Sequence, residues 1–336
     1  MISRNDPDQL NLFGEDSPAE QPKKSSSQPA ALGLAPVVDE VATLAHRVPD
    51  TIRLGTSSWS FPGWQGLIWD RKASPSTLAR EGLRAYARHP LLRTVGIDKT
   101  FYRPAPCEEF DRLRKQVTDD FRFLVKAHDA ITRRDPNPHS PTSPRLWLDC
   151  AYAIDQVIEP ARSGLGETLG PILFQFSQMR IRSAKEAEAF IHELGEFLGR
   201  LPHGVLYAVE VRDRLLIRPS WSAMIANSGA SHCFNAHPTQ MTPLEQARIV
   251  DPAMQPAFVA RWLLHSRGSY QQAIDRYEPF DRIVDDDPHC RGEFATLCAM
   301  VARAGKDAYV IVNNKAEGSA PHSVERLAHA IAALTV

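Results

Sequence analysis

Short apolar runs rich in β-branched and aromatic residues recur along most of the chain. Each is followed by a stretch in which apolar positions return every three or four residues. The runs cover 52–57, 94–98, 121–126, 172–176, 206–211, 232–235, 258–264 and 308–312. Their lengths and composition predict strands. The intervening segments SPSTLAREGLRAYARH, PCEEFDRLRKQV, SPRLWLDCAYAIDQVIEPA, SAKEAEAFIHELGEFLGRL and SVERLAHAIAAL predict helices, with Ser74, Ser143 and Ser183 at N-cap positions. The sixth unit is the weakest, because TQMTPLEQARIVDPAMQP supports only a broken helix.

Eight β-α units in roughly 290 residues match the size and order of an α/β fold of the (β/α)₈, TIM-type barrel class. The rival, an open doubly wound sheet, expects a G-x-G-x-x-G turn after the first strand. This chain has GTSSWS there. The pattern fails near the N-terminus, where 14–36 is rich in proline, serine and charge and offers little apolar area to offset the entropy of ordering it. The expected division is therefore a tail over 1–49, with a short helix around 37–45, and a barrel over 50–336.

Composition narrows the function classes. Lysine plus arginine (39) nearly balances aspartate plus glutamate (40) over 336 residues, so a strongly basic nucleic-acid binder or polybasic membrane surface is not expected. The five cysteines are scattered, with no C-x-x-C pair, which predicts free thiols in a reducing compartment. No signal-peptide pattern and no membrane-length apolar run is present, so a cytoplasmic location without membrane contact is expected. Walker-type phosphate loops and a G-x-S-x-G elbow are absent.

A barrel of this class carries its active site at the C-terminal ends of the strands. There the chain places Asp98, Phe101 and Tyr102 after the second strand, Lys126 and His128 after the third, and Gln175 after the fourth. Glu210 and Arg212 follow in the fifth, Asn235 and His237 in the sixth, His265 in the seventh, and Asn313 and Asn314 in the eighth. Alternation puts Glu210 and Arg212 on one face of the fifth strand, the inside of a barrel. Glu210 is a candidate general base, anchor for a cationic group or metal ligand. Lys126 is a candidate Schiff-base nucleophile or anion clamp, and Asp98 a further catalytic carboxylate. Gln175, Arg212, Asn313 and Asn314 suit an oxygen-rich ligand, while Trp59, Trp64, Phe101 and Tyr102 could wall a ring. An internal ion-pair network and rim packing are the structural alternatives. His128, Glu210, His237 and His265 form the set that leaves a divalent cation open as a cofactor, although no H-x-H or H-E-x-x-H spacing joins any two of them.

The segments IRLGTSSWSFPGW, TVGIDKTFYRPAP, FRFLVKAHDAIT, LGPILFQF, YAVEVRD and VIVNNKAEGSAP resemble, in order, the motifs of domain-of-unknown-function family 72, the YecE-like proteins. The resemblance spans about 50–330. It implies a TIM-type barrel and supplies no activity. It marks Trp59, Thr100, Phe101, Tyr102, Lys126, Thr132, Gln175, Glu210, Arg212, Trp221, Asn313 and Asn314 as recurrent motif positions. Where the family usually carries a second-strand glutamate and an asparagine, this chain has Gly96 and Asp98, which reads either as a carboxylate moved one step along the same face or as a weakened ancestral activity. Lys315 and Ala316 stand in place of the family's usual histidine and aromatic residue.

Gln9-Leu10-Asn11-Leu12-Phe13 stands apart as an apolar cluster in a polar segment. It resembles the short peptide by which bacterial replication and repair proteins bind the sliding clamp, with glutamine in a polar pocket and leucine and phenylalanine in an apolar groove. Two readings follow. In one, the barrel is a hydrolase or lyase acting on a phosphorylated, glycosidic or nucleic-acid substrate, linked to DNA repair by the tail. In the other, it is a non-catalytic adaptor binding a nucleotide, nucleic acid or protein. The loop over 266–291, with its acidic run Asp285-Asp286-Asp287, reads as a solvated excursion.

Overall fold

A computed structural model describes residues 31–135, 146–265 and 269–335. The peptide at 9–13 and the expected cap Ser143 lie outside these residues. Eight parallel strands close into a barrel in sequence order. They are β1 (Ile52–Thr56), β2 (Leu92–Ile97), β3 (Arg122–Lys126), β4 (Leu169–Gln175), β5 (Tyr207–Glu210), β6 (Ser231–Ala236), β7 (Phe258–Trp262) and β8 (Ala308–Val312). Every run expected to be a strand is one. Closure comes from the pairing of β1 with β8, Ile52 opposite Ala308 through Thr56 opposite Val312.

Alternation along the strands sorts their side chains into two compartments. Outward residues such as Phe123, Phe174, Phe234 and Trp262 pack against the helical layer. Inward residues Leu124, Leu173, Ala208, Cys233, Val259, Tyr309 and Ile311 fill the barrel as a separate cluster. The helices begin where capping chemistry allows. Ser74 accepts a hydrogen bond from the Thr77 N–H and Ser183 from the Glu186 N–H, while Asp149 caps the helical run from Cys150. The last helix, Ala320–Leu334, starts ahead of the expected Ser323 because Pro321 suits its first turn. The sixth unit is broken as its sequence implies, into Pro243–Ala247 and Pro252–Met254.

Two expectations need correction. The tail boundary at 49 lies too late, because 32–48 packs on the barrel. Leu32, Ala35, Val41, Leu44 and Val48 are buried. The backbone is tied by Ala35 N–H to the Ile68 carbonyl and Asp70 N–H to the Gly33 carbonyl, and helix Asp39–Arg47 lies against Ala320–Leu334. Val41, Leu44 and Val48 recur at helical spacing, a stripe that the polar average of the N-terminal segment conceals.

The stretch after β7 is not a solvated excursion either. Its helix Tyr270–Tyr277 opens with a capping box from Ser269, and Ala273, Tyr277 and Phe280 pack with Leu263, Leu264, Phe61 and Val284. The acidic run is fully engaged. Asp285 meets Tyr277 and Arg276, Asp286 meets Arg291 and Arg326, and Asp287 caps helix Pro288–Arg303. Among the described residues no helix is long and apolar enough to cross a membrane. All five cysteines are free thiols, and only Cys107 is not buried.

Candidate functional site

Directly above the apolar barrel filling, each strand or the residue just past its end contributes one polar side chain, placed two positions beyond an inward position of that strand. The set is Ser57, Asp98, Lys126, Gln175, Glu210, Asn235, Arg261 and Asn313. Strand register brings neighbours level, with Gln175 opposite Glu210 and Asn235 opposite Arg261. Gly96 sits on the same inward face as Asp98. A methyl group there would come within 3.3 Å of the Ser57 carbonyl oxygen, so the barrel leaves little room for a side chain one step below the carboxylate.

Glu210 is the hub of this layer. Its side chain is wholly buried, with Oε2 accepting from Arg261 Nη1 at 2.6 Å and Oε1 accepting from Arg212 Nε at 3.2 Å. Burial alone would raise the carboxyl, but the two guanidiniums outweigh it and hold Glu210 near pH 2, fully ionised at neutral pH. A carboxylate so held is a weak base. It orients arginines.

Arg261 reaches across the mouth from β7. It also donates to Gln175 Oε1 at 2.8 Å and approaches Asp98 Oδ2 at 3.6 Å, which joins strands that are not neighbours. Burial opposes its charge, but Glu210 and Asp98 more than compensate and keep it protonated. This residue was absent from the sequence-derived set. An arginine at an inward position within the apolar run 258–264 was the available signal.

Lys126 is buried, with its Nζ 4.0 Å from the centre of the Phe101 ring. Among the described residues no carboxylate lies within ion-pair distance of it. Burial is the main force on its ammonium, and with the Arg261 and Arg212 charges it outweighs the attraction of Asp98 and Glu210. Its pKa falls to about 8. Thr100 holds the turn after β2 against β3, its hydroxyl meeting the Ile97 and Lys126 carbonyls, and so seats Phe101 beside the lysine.

The remaining expected residues divide. Trp59 lines a recess of about 30 Å³ with Ser58, Ala79, Gly96, Ile97, Asp98 and Lys99, room for water but not for a sugar ring. Its indole N–H donates to the Ala79 carbonyl. Tyr102 packs edge-on to Phe101 at 5.4 Å. Asn313 bonds Ser57 across the closure of the barrel. Asn314 faces away, its Oδ1 accepting from the Ala320 N–H at the start of the last helix. Trp64 and Trp221 are core residues.

The histidines considered for a cation do not converge. His128 bonds the Tyr152 hydroxyl, His237 bonds Thr239, and His265 lies 3.9 Å from Asp287. Burial and the nearby Arg212 charge bring His237 down to about 4 despite Glu210, so it is neutral at pH 7. Among the described residues no three His, Cys, Asp or Glu side chains are grouped to hold a metal ion. The layer's own charges balance, Lys126 and Arg261 against Asp98 and Glu210, and Arg212, two positions above Glu210 on the same face, adds a third cation at the rim. Asp98 and Arg212 are the more open of these five, at 17% and 24% side-chain exposure.

Comparison with known proteins gives a family and a fold. The family described as "Protein of unknown function DUF72" matches residues 53–335. A DUF72 family protein (EF0366) from Enterococcus faecalis V583 is similar in structure, with 18% identity and TM-score 0.59 over 83% of this chain and 95% of that one. A second, TM1631 from Thermotoga maritima MSB8, has 19% identity and TM-score 0.53 over 82% of this chain and 97% of its own. No curated protein matches the chain.

Proposed function

We propose, from the premise that this chain belongs to the DUF72 family, that its barrel mouth is an enzyme active site for a small, anionic, oxygen-rich substrate of the phosphorylated or sugar-like kind. One observation carries the reading. A layer with one polar side chain at the end of every strand closes the barrel above its apolar filling, and Arg212, standing over that charge-balanced layer, leaves a positive excess at the rim. Burying ionic groups is expensive, and a barrel plug needs no net charge, so the excess suits an anion supplied from outside.

Within this site Arg212 contacts the anion. Its guanidinium is partly exposed, and its Nε is fixed by Glu210, so little side-chain freedom is lost on binding. Gln175 and Asn313 supply hydrogen bonds. Glu210 is the positioning residue for both arginines. Proton movement in a hydrolase or lyase step belongs to Lys126 and Asp98, since Glu210 has both oxygens engaged.

Titration calorimetry with inorganic phosphate and with citrate tests the anion reading. Saturable binding is expected, weakened roughly 10- to 100-fold in Arg212→Gln by loss of a charge-assisted contact. Equal affinity of wild type and variant would sink it.

A second reading concerns recruitment. Its support is the likeness of Gln9, Leu10, Leu12 and Phe13 to the anchors of a clamp-binding peptide. The eighteen residues of 14–31 could extend at most about 60 Å, enough to hold the barrel beside a sliding clamp on DNA. Equal recovery of clamp by the wild type and by a Leu12→Ala, Phe13→Ala double variant would exclude it.

A further inference from the structure

We infer that Lys126 is a nucleophilic amine that condenses with the carbonyl carbon of a small aldehyde or keto acid, an inference that rests on the mouth being an anion site. The geometry separates this lysine from the other cations of the layer. Arg261 and Arg212 between them occupy both oxygens of Glu210, and Arg261 also lies toward Asp98. Among the described residues Lys126 is left with an aromatic face and no carboxylate within ion-pair distance, on a strand whose next inward residue is Leu124. Its surroundings contrast with those of Lys99 and Lys115, which pair with Glu109 and Asp111 near the surface.

An amine in such a place loses the hydration that keeps lysine protonated, and two guanidiniums nearby offset the attraction of Asp98 and Glu210. Its pKa near 8 is the expected consequence, so a minority of about a quarter is free amine at pH 7.5, far more than for an ordinary lysine. Arg212 supplies the complement. A carboxylate or phosphate held on its guanidinium would bring a neighbouring carbonyl carbon into the layer where the lysine lies.

The step balances without a further reagent. The Lys126 nitrogen forms a bond to the carbonyl carbon and gives one proton to the oxygen, making a carbinolamine. That intermediate then loses its hydroxyl and the second nitrogen-bound proton as water, leaving a C=N bond. The imine withdraws electrons from the adjacent carbon, the property a lyase uses to break the next bond.

Glyoxylate with cyanoborohydride at pH 7.5 reads this directly, because reduction fixes the imine as a carboxymethyl group that peptide mass spectrometry locates. For a lysine near pKa 8 against an ordinary value of 10.5, the gain in free amine outweighs the fall in nucleophilicity, and about tenfold faster labelling than at exposed lysines is expected. Lys126→Arg should lose that site alone. Arg212→Gln should slow labelling by glyoxylate severalfold more than labelling by neutral glycolaldehyde, because loss of the guanidinium raises the lysine's pKa for both reagents but removes the anion contact for glyoxylate alone.

Labelling of Lys126 no faster than that of exposed Lys115 overturns the inference, whether the cause is burial or protonation. If phosphate still binds in an Arg212-dependent way, only the nucleophile is lost. If Lys126 is labelled fast but phosphate does not bind, and glyoxylate has no advantage over glycolaldehyde, the anion reading falls instead.

Discussion

Arg261 and Glu210 illustrate how a buried ion pair resists piecemeal change. Arg261→Met removes the closer of the two charges on a carboxylate that cannot reach water. Denaturant unfolding should show a loss of about 3–5 kcal/mol, whereas the double variant Arg261→Met, Glu210→Leu should recover most of it. A loss in the double variant equal to the sum of the losses in Arg261→Met and Glu210→Leu alone would mean that the pair is not coupled. The Glu210 carboxyl is depressed in the fold, so the stability it brings is complete above its ordinary value of 4.5 and is lost as the pH falls toward 2.

Lys126 has the opposite linkage. Its pKa is lowered by folding, so between about 8 and 10.5 the unfolded chain binds more protons than the folded one, and stability rises with pH through that window. Below pH 8 the buried ammonium is a constant burden. Lys126→Met should therefore raise stability at pH 7, by of the order of 2 kcal/mol, and flatten the rise between 8 and 10.5 seen in the wild type. A variant with unchanged stability and an unchanged pH profile would show the lysine to be well solvated. Lys126, Glu210, Asp98 and Gln175 were legible in the sequence because strand alternation alone puts them inward. Arg261 is inward by the same alternation but stands inside the apolar run 258–264 and not at its end, so its role emerges only from partners on other strands.

At the scale of elements, the loop after β1 fastens the segment that follows β7. Phe61 packs edge-on against Phe280 at 5.6 Å and also against Trp64. A methyl group on Gly63 would overlap the Pro279 carbonyl oxygen, a backbone atom with little room to yield. Gly63→Ala should part these two loops and speed limited proteolysis within 269–287. Unaltered cleavage there would show that the backbone shifts without loosening the packing. The ordering of this segment was hidden in the sequence, since its aspartates find counter-charges on three different elements. The capping box at Ser269 and Gln272 was readable by its spacing.

For the molecule as a whole, the stretch 32–48 acts as a strap joining the first helix to the last. Leu32, Val41, Leu44 and Val48 come out of water against the barrel. After the entropy of ordering the segment, a net contribution of about 2–4 kcal/mol is expected. A chain beginning at residue 49 should melt several degrees below one beginning at residue 31. Equal melting temperatures would show that the strap is held without contributing stability.

The sequence by itself determined the barrel. Eight apolar runs with helices between them leave few ways to bury both strand faces, and alternation then selects the inward residues of each strand. It also identified most of the polar layer, because a charged residue at a strand's C-terminal end is conspicuous there. Only the tertiary structure decided what those residues do to one another. Ion pairing depends on distances across the barrel, and these follow from strand closure and register, not from spacing along the chain. Closure set Arg261 on Glu210, beside the Arg212 that alternation had already placed on the same face, and left Lys126 with the Phe101 ring. It thereby made the glutamate a fixed anchor and the lysine the reactive candidate.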